Sequence, residues 1–241
     1  MAKKILYIFI SFLLIQLFLF NACKSDGDSN IRDDFEIPED VISEGVMEIA
    51  QESMEDIVEN ISSPIEMAAL VQSLGVPYSR KYLAPTKNVD DYITSQSKAF
   101  NLGVFGADLG YLNMYNRTAA VIDYITAIKT LADGINVGQF FDFTTLKRLA
   151  TNNQNLDSLM YISVHSFNLM DTYLRENNRS NLSALIIAGV WVEGLYLATQ
   201  VAKERPDDRI AESIGEQQII LNQLMIVLNN YKKDKFITNL I

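Results

Sequence analysis

The chain has 241 residues, of which 49% are hydrophobic and 21% charged, and its formal net charge is -10 at pH 7. This acidic balance offers no basic face for neutralising phosphates, so we expect no nucleic-acid partner. The single cysteine excludes an internal disulfide. The fold must therefore be held by its apolar core, which a domain of about 200 residues is long enough to bury.

The chain begins with a pattern typical of a bacterial secretion signal. Lys3 and Lys4 precede an apolar run over residues 5–20, and the only cysteine, Cys23, follows Ala22. This arrangement resembles a lipobox, in which the cysteine takes a diacylglycerol and becomes the N-terminus after cleavage of the bond before it. The resemblance implies lipidation at Cys23. An uncleaved membrane anchor is the alternative, although the run is short for a span of about 20 residues.

An acidic, Gly- and Ser-containing stretch follows over residues 24–40. A tether of this kind behind a lipidated cysteine resembles the export signal of Bacteroidota surface lipoproteins. The resemblance implies an outer-membrane lipoprotein, periplasmic or surface-exposed, whose partner is the membrane through its acyl chains. Its start also invites comparison with a calcium loop, but Ile31 and Ile37 stand where that loop needs Gly and Glu. We therefore expect a solvated tether.

The remainder of the chain predicts a single all-α domain over residues 41–241, behind a signal peptide (1–22) and the tether (23–40). Apolar residues recur at helical spacing, and no stretch alternates with the period of a strand. We expect a multi-helix bundle or irregular helical array of about seven to eight helices. The predicted helices cover residues 41–60, 64–74, 88–115, 117–133, 141–150, 155–176, 181–203 and 208–232.

Two of these helices carry longitudinal stripes. Five glutamates between residues 44 and 59 form one stripe, interpreted as a solvated face, with a cation-binding or basic-partner surface as the alternative. The helix over 155–176 has a bundle seam and a separate polar stripe. We expect the polar stripe to face a seam between helices. The seam comprises Leu156, Met160, Ser163, Phe167, Met170 and Leu174, and the stripe comprises Ser158, Tyr161, His165, Asn168 and Thr172.

Two carboxylates stand alone in otherwise uncharged helical segments. Asp108 is the only charged residue in 99–116, and Glu193 is the only one in 184–202. We predict that both are buried, and therefore hydrogen-bonded, protonated or coordinating a ligand, with a hydroxyl or amide as the expected partner of Glu193. Segment 184–202 is long enough to span a membrane, but the central Glu193 favours a core helix.

The surroundings of the two acids are similar. A glycine precedes each acid, and Tyr111 and Tyr196 follow at three residues, so each tyrosine shares a helix face with its acid. An internal duplication would explain this similarity, and chance is the alternative.

The candidate ligand-binding residues combine these acids with the only histidine. A structural polar network, a small-ligand pocket and a metal site are all compatible with them. One histidine cannot supply the paired Glu-x-x-His motifs of a di-metal bundle, and no Gly-x-Ser-x-Gly indicates a hydrolase, so we expect no cofactor and no metal. The candidates are Asp108, Tyr111, His165, Trp191, Glu193 and Tyr196.

Two functions remain as expectations. The first is a non-enzymatic, lipid-anchored module that binds a protein or small-molecule ligand at the cell envelope. The second is an enzyme or sensor whose site is built from Asp108, Glu193 and His165. The exposure of these three residues distinguishes the two, because an active centre needs them to converge on a cavity that solvent can reach.

Overall fold

The computed structural model of this chain describes residues 71, 73–151 and 156–241, all within one compact unit. The signal peptide, Cys23, the tether, the predicted helix over 41–60 and most of the predicted helix over 64–74 lie outside the described residues. Every regular element in the described part is helical, which confirms the all-α prediction. The α-helices are α1 (Ser95–Met114), α2 (Thr118–Gly134), α3 (Phe143–Thr151), α4 (Leu156–Glu176), α5 (Ser180–Glu204), α6 (Asp208–Asn229) and α7 (Lys235–Leu240).

The segment before α1, residues 76–94, is here called the strap. It contains the 3-10 helices Arg80–Tyr82 and Thr86–Asp91. The sequence predicted that the helix observed as α1 begins at Asn88. This start was wrong, because Asn88 and the two aspartates that follow it lie within the second 3-10 helix. The true N-cap of α1 is Thr94, whose side chain accepts from Ser97 N–H while the Ser97 hydroxyl accepts from Thr94 N–H.

Three helix ends depend on asparagine. Asn116, Asn136 and Asn178 have φ values of 54°, 58° and 55°, in the left-handed region where asparagine is better tolerated than most residues. After α4, Asn178 N–H donates to Arg175 O at 3.0 Å and Arg179 N–H donates to Leu174 O at 2.7 Å. These bonds satisfy carbonyls that the helix end would leave free, and they turn the chain sharply into α5.

Replacement of Asn178 should follow the demand for positive φ. We expect Asn178→Gly to leave the free energy of unfolding within about 0.5 kcal/mol of wild type, since glycine adopts this conformation readily. Asn178→Val should cost about 1 to 2 kcal/mol, because a β-branched side chain clashes with the backbone there. Urea unfolding of both variants measures the difference, and equal stability of the two would contradict the turn's role.

The centre of the fold is a parallel pair, α1 and α5. Their first turns meet at Asp234, whose Oδ2 accepts from Gln96 Nε2 at 2.9 Å and from Asn181 Nδ2 at 3.1 Å. Their last turns meet near Glu204, at the end of α5, which accepts a hydrogen bond from Tyr82 in the strap. Helix α2 packs against α1, and helices α4 and α6 pack against α5.

Two glycines allow α1 and α5 to touch backbone to backbone. A Cβ on Gly103 would lie 2.0 Å from Ile186 O, and a Cβ on Gly189 would lie 2.0 Å from Phe100 O. Both distances are far inside van der Waals contact, so only glycine fits at either side of the crossing. The glycines that precede the two acids in sequence therefore occupy equivalent places on two parallel helices.

Helix α5 is the core helix that its sequence predicted. Among the described residues it alone is long and apolar enough, by length and composition, to cross a membrane. In this structure 61% of the window that meets that test is buried inside the fold. Every residue from Leu182 to Gly189 is buried, so the first half of α5 is enclosed on all sides.

Helix α4 confirms one predicted stripe and corrects the other. Met170 and Leu174 of the seam are buried at 1% and 0% exposure, and Phe167 packs against the core. The polar stripe was predicted to face a seam between helices, but His165, Asn168 and Thr172 are exposed. Polar side chains at helical spacing fit a solvated face equally well, and the buried side of α4 includes Met170 and Leu174 of the apolar stripe.

Candidate functional site

Asp108 and Glu193 meet where α1 and α5 separate beyond the glycine crossing. Asp108 is completely buried at 0% exposure, and Glu193 is partly buried with its Oε1 atom enclosed. The two side chains are within hydrogen-bonding reach of each other. The predicted burial of Asp108 is confirmed. The predicted hydroxyl or amide partner of Glu193 is not what the structure gives, because a carboxyl faces it.

One shared proton accounts for the polar atoms of this acid pair. Asp108 Oδ2 accepts from Ala84 N–H at 3.0 Å. Asp108 Oδ1 and Glu193 Oε1 are buried, and no N–H or O–H of the described residues donates to either of them. Two facing carboxylates can satisfy both oxygens only if one is protonated, since an ionised carboxylate accepts and does not donate. We therefore describe the pair as a protonated Asp108 donating to Glu193.

The electrostatics of the pair agree with this description. Burial, followed by the negative charge of Glu193, raises the pKa of Asp108 to about 9. Burial also raises the pKa of Glu193, to about 7, while the hydrogen bond from Asp108 acts in the opposite direction. Because these groups share one site, the protons belong to the pair, and the pair retains at least one of them at neutral pH.

The strap closes the acid pair from the side of α2. Ala84 provides two bonds, because its N–H donates to Asp108 and its carbonyl accepts from Tyr124 Oη at 2.6 Å. Tyr124 lies on α2 and is buried at 4% exposure. The charges of Asp108 and Glu193 contribute, after burial, to raising the pKa of the Tyr124 hydroxyl. A single residue of the strap thus connects α1 with α2 over the acids.

Tyr111 belongs to an aromatic cluster that fixes the start of the strap. Its ring lies 5.8 Å from that of Tyr78 and 4.8 Å from that of Tyr115, measured between centroids. The Tyr111 hydroxyl accepts from Ser79 N–H at 3.1 Å, and Tyr115 Oη donates to Val76 O at 2.9 Å. The hydroxyls of both tyrosines are hydrogen-bonded to the strap backbone, so in this structure Tyr111 positions the strap.

The other predicted site residues do not join the acid pair. His165 is exposed on α4, and Tyr196 is 41% exposed on α5, although Tyr111 at the corresponding place on α1 is buried. Trp191 packs against the core, and its buried Nε1 has no acceptor among the described residues. Of the six predicted residues, the structure brings Asp108 and Glu193 into direct contact.

A cleft that the sequence did not predict lies beside the strap. Its volume is about 320 Å³, and it lies between the strap and Tyr124 of α2. Its walls combine two cationic side chains with a hydroxyl and apolar surface. Arg80 and Lys87, both in the same short acidic-poor segment, were the only signal in the sequence that could have indicated it. The lining residues are Arg80, Leu83, Pro85, Thr86, Lys87 and Tyr124.

Metal binding and similarity to known proteins add no further candidate. Within the described part of the chain, no group of three His, Cys, Asp or Glu side chains lies close enough to hold a metal ion. Comparison with protein-family models, with curated proteins and with solved structures finds no match for this chain. The acid pair and the strap cleft are therefore interpreted from their own geometry.

Proposed function

We propose that this protein is a lipid-anchored, non-enzymatic binding module of the bacterial cell envelope. The observation that carries the non-enzymatic part is the enclosure of the acid pair. Asp108 has no exposed surface and its proton is used on Glu193, so Asp108 cannot meet a substrate, and Glu193 reaches solvent only in part. His165, the third member of the rival active centre, is exposed on α4. An acid and a base that share no reachable cavity cannot act on one molecule.

The binding part of the proposal is supported by the strap cleft. It is open to solvent, it combines apolar and cationic walls, and it lies between the strap and α2. Small-molecule sites are concave and mostly preformed, with few polar groups placed around an apolar wall. Native mass spectrometry of the lipidated protein purified from its own host tests this directly. A retained small molecule or protein is the expected result, and a bare chain would contradict it.

The envelope part of the proposal is supported by the N-terminal sequence, with Cys23 as the lipidated residue and the outer membrane as the location. We expect Cys23→Ala to abolish incorporation of an alkynyl fatty acid and to release the protein from the membrane fraction. The acyl chains would be the sole anchor once the signal is cleaved.

Ser25→Ala, two residues further on, is the matched control for this prediction and should label and fractionate like wild type. Unchanged labelling of Cys23→Ala would reject lipidation at this residue. Unchanged fractionation without labelling would instead indicate the uncleaved anchor.

A further inference from the structure

We propose that the strap cleft binds a small organic anion, a carboxylate or phosphate carried on a compact apolar body. The proposal rests on the proposed binding function and specifies its ligand. Two cationic side chains, Arg80 and Lys87, line the cleft from the two 3-10 helices of the strap. Both are exposed, and neither forms an ion pair with any residue that the structure describes.

The charged groups that line this cleft are all positive. Its six lining residues include an arginine and a lysine and no carboxylate. A guanidinium and an ammonium that face one cavity create a local positive potential that attracts an anion. Arginine additionally presents paired N–H groups whose geometry fits a carboxylate or a phosphate.

The remaining walls define what the anion is attached to. Leu83, Pro85 and the ring of Tyr124 supply apolar surface. The Tyr124 hydroxyl gives its proton to Ala84 O, so it offers only lone pairs toward the cleft. The donors for an anion are therefore Arg80, Lys87 and the Thr86 hydroxyl. The volume of about 320 Å³ is at the small end of ligand pockets, which span about 300 to 1,000 Å³. A single ring or a short branched chain fits this space.

The strap backbone between two lining residues is anchored by hydrogen bonds, which lowers the ordering cost of binding. Ala84, between the lining residues Leu83 and Pro85, is bonded on one side to Asp108 and on the other to Tyr124. A preformed wall loses little conformational entropy when a ligand arrives. The acid pair thus serves the cleft by positioning the strap, without touching the ligand.

Isothermal titration of the mature lipidated protein in detergent tests the proposal, with phenyl phosphate and benzoate as anionic probes and benzyl alcohol as the neutral probe. We expect saturable binding of at least one anionic probe and none of the alcohol. Arg80→Gln should weaken that binding about ten-fold, the loss expected for one charge-assisted hydrogen-bond pair. Lys81→Gln, at the neighbouring exposed position outside the cleft, should bind like wild type.

The possible outcomes distinguish failure of the cleft site from failure of the binding function. Equal anion affinity in wild type and Arg80→Gln, or no saturable binding by wild type, would overturn the cleft site. If the protein from its host nevertheless carries a bound molecule, the binding function stands and only the cleft assignment fails. Displacement of phenyl phosphate by dihexanoyl-phosphatidylglycerol supports the cleft with a lipid headgroup as the source of the anion, whereas displacement by soluble anions alone supports it with a free metabolite.

Discussion

Gly103→Ala is expected to lower the free energy of unfolding by at least about 2 kcal/mol, although alanine is the better helix former. The added Cβ would lie 2.0 Å from Ile186 O and 2.7 Å from Val190 N, both backbone atoms of α5. A flexible side chain could move away, but helix backbone cannot without separating α1 from α5. Urea unfolding followed by circular dichroism measures the loss.

Gly106→Ala is the matched control for this prediction. It lies one turn further along the same helix, and a Cβ there would meet nothing within 4 Å. We expect it to stabilise the protein by about 0.5 to 1 kcal/mol, the difference in helix propensity between glycine and alanine. The two variants should therefore shift stability in opposite directions. Two shifts of the same sign would mean that α1 and α5 do not cross at Gly103.

The same pair of substitutions can be made on α5. Gly189→Ala would place its Cβ 2.0 Å from Phe100 O, whereas Gly194→Ala would meet nothing within 4 Å. Because Gly103 and Gly189 lie on either side of one contact, their losses should not add. Once the first alanine has separated the helices, the second encounters more space. A double variant that loses the full sum would indicate two independent contacts.

Most helix bounds could be predicted because the helices end at local signals. The predicted 181–203 and 155–176 differ from Ser180–Glu204 and Leu156–Glu176 by one residue at most at each end. The start of α1 was the exception. Its capping box, built from Thr94 and Ser97, is a weaker sequence signal than one with a glutamate, and the acidic residues of the strap favoured an earlier start. The short helix α7 was missed because six residues carry too little periodicity to detect.

The burial of the acids could be predicted, but their pairing could not. A lone charge in an apolar helix indicates burial by composition alone. That Asp108 meets Glu193 depends on α1 and α5 being adjacent and parallel, although 85 residues and three helices separate the acids in sequence. Antiparallel packing, which short connections favour between successive helices, would have placed these acids on opposite sides of the glycine crossing. The cleft likewise needs Tyr124 of α2 beside the strap, which only tertiary packing supplies.

The acid pair should make the protein less stable as pH rises through neutrality. Folding raises both carboxyl pKa values above the ordinary 3.8 and 4.5, so at neutral pH the folded protein binds more protons than the unfolded chain. This stabilisation is complete at pH values below the ordinary pKa values, and it is lost as the pH rises through the raised pKa values. Between about pH 5 and pH 7, the free energy of unfolding should fall by about 1.4 kcal/mol per pH unit for each proton that the folded pair retains.

The double variant Asp108→Asn with Glu193→Gln isolates this effect, because it keeps the shape and hydrogen-bonding capacity of the pair but cannot titrate. Urea unfolding at pH 5, 6, 7 and 8 measures the effect. We expect the stability of the double variant to fall less steeply with pH than that of wild type, because the contribution of the acid pair to the slope is missing. All other groups titrate alike in both proteins. Parallel pH profiles would show that the acids are not buried together.

Single substitutions of the acids separate shape from charge, and Asp108 should be the more sensitive position. Asp108→Asn can still accept from Ala84 N–H, and its amide N–H can donate to Glu193 at any pH, so at pH 8 it should be at least as stable as wild type. Asp108→Leu leaves Ala84 N–H and a Glu193 carboxylate without partners, and it should cost about 3 kcal/mol at the same pH. At Glu193, the Gln variant should again be more stable than the Leu variant. The difference in stability should be smaller than at Asp108, since Glu193 retains contact with solvent. Asp108→Leu within about 0.5 kcal/mol of wild type would mean that Ala84 is not anchored to α1, and that Tyr124 alone holds the strap at Ala84.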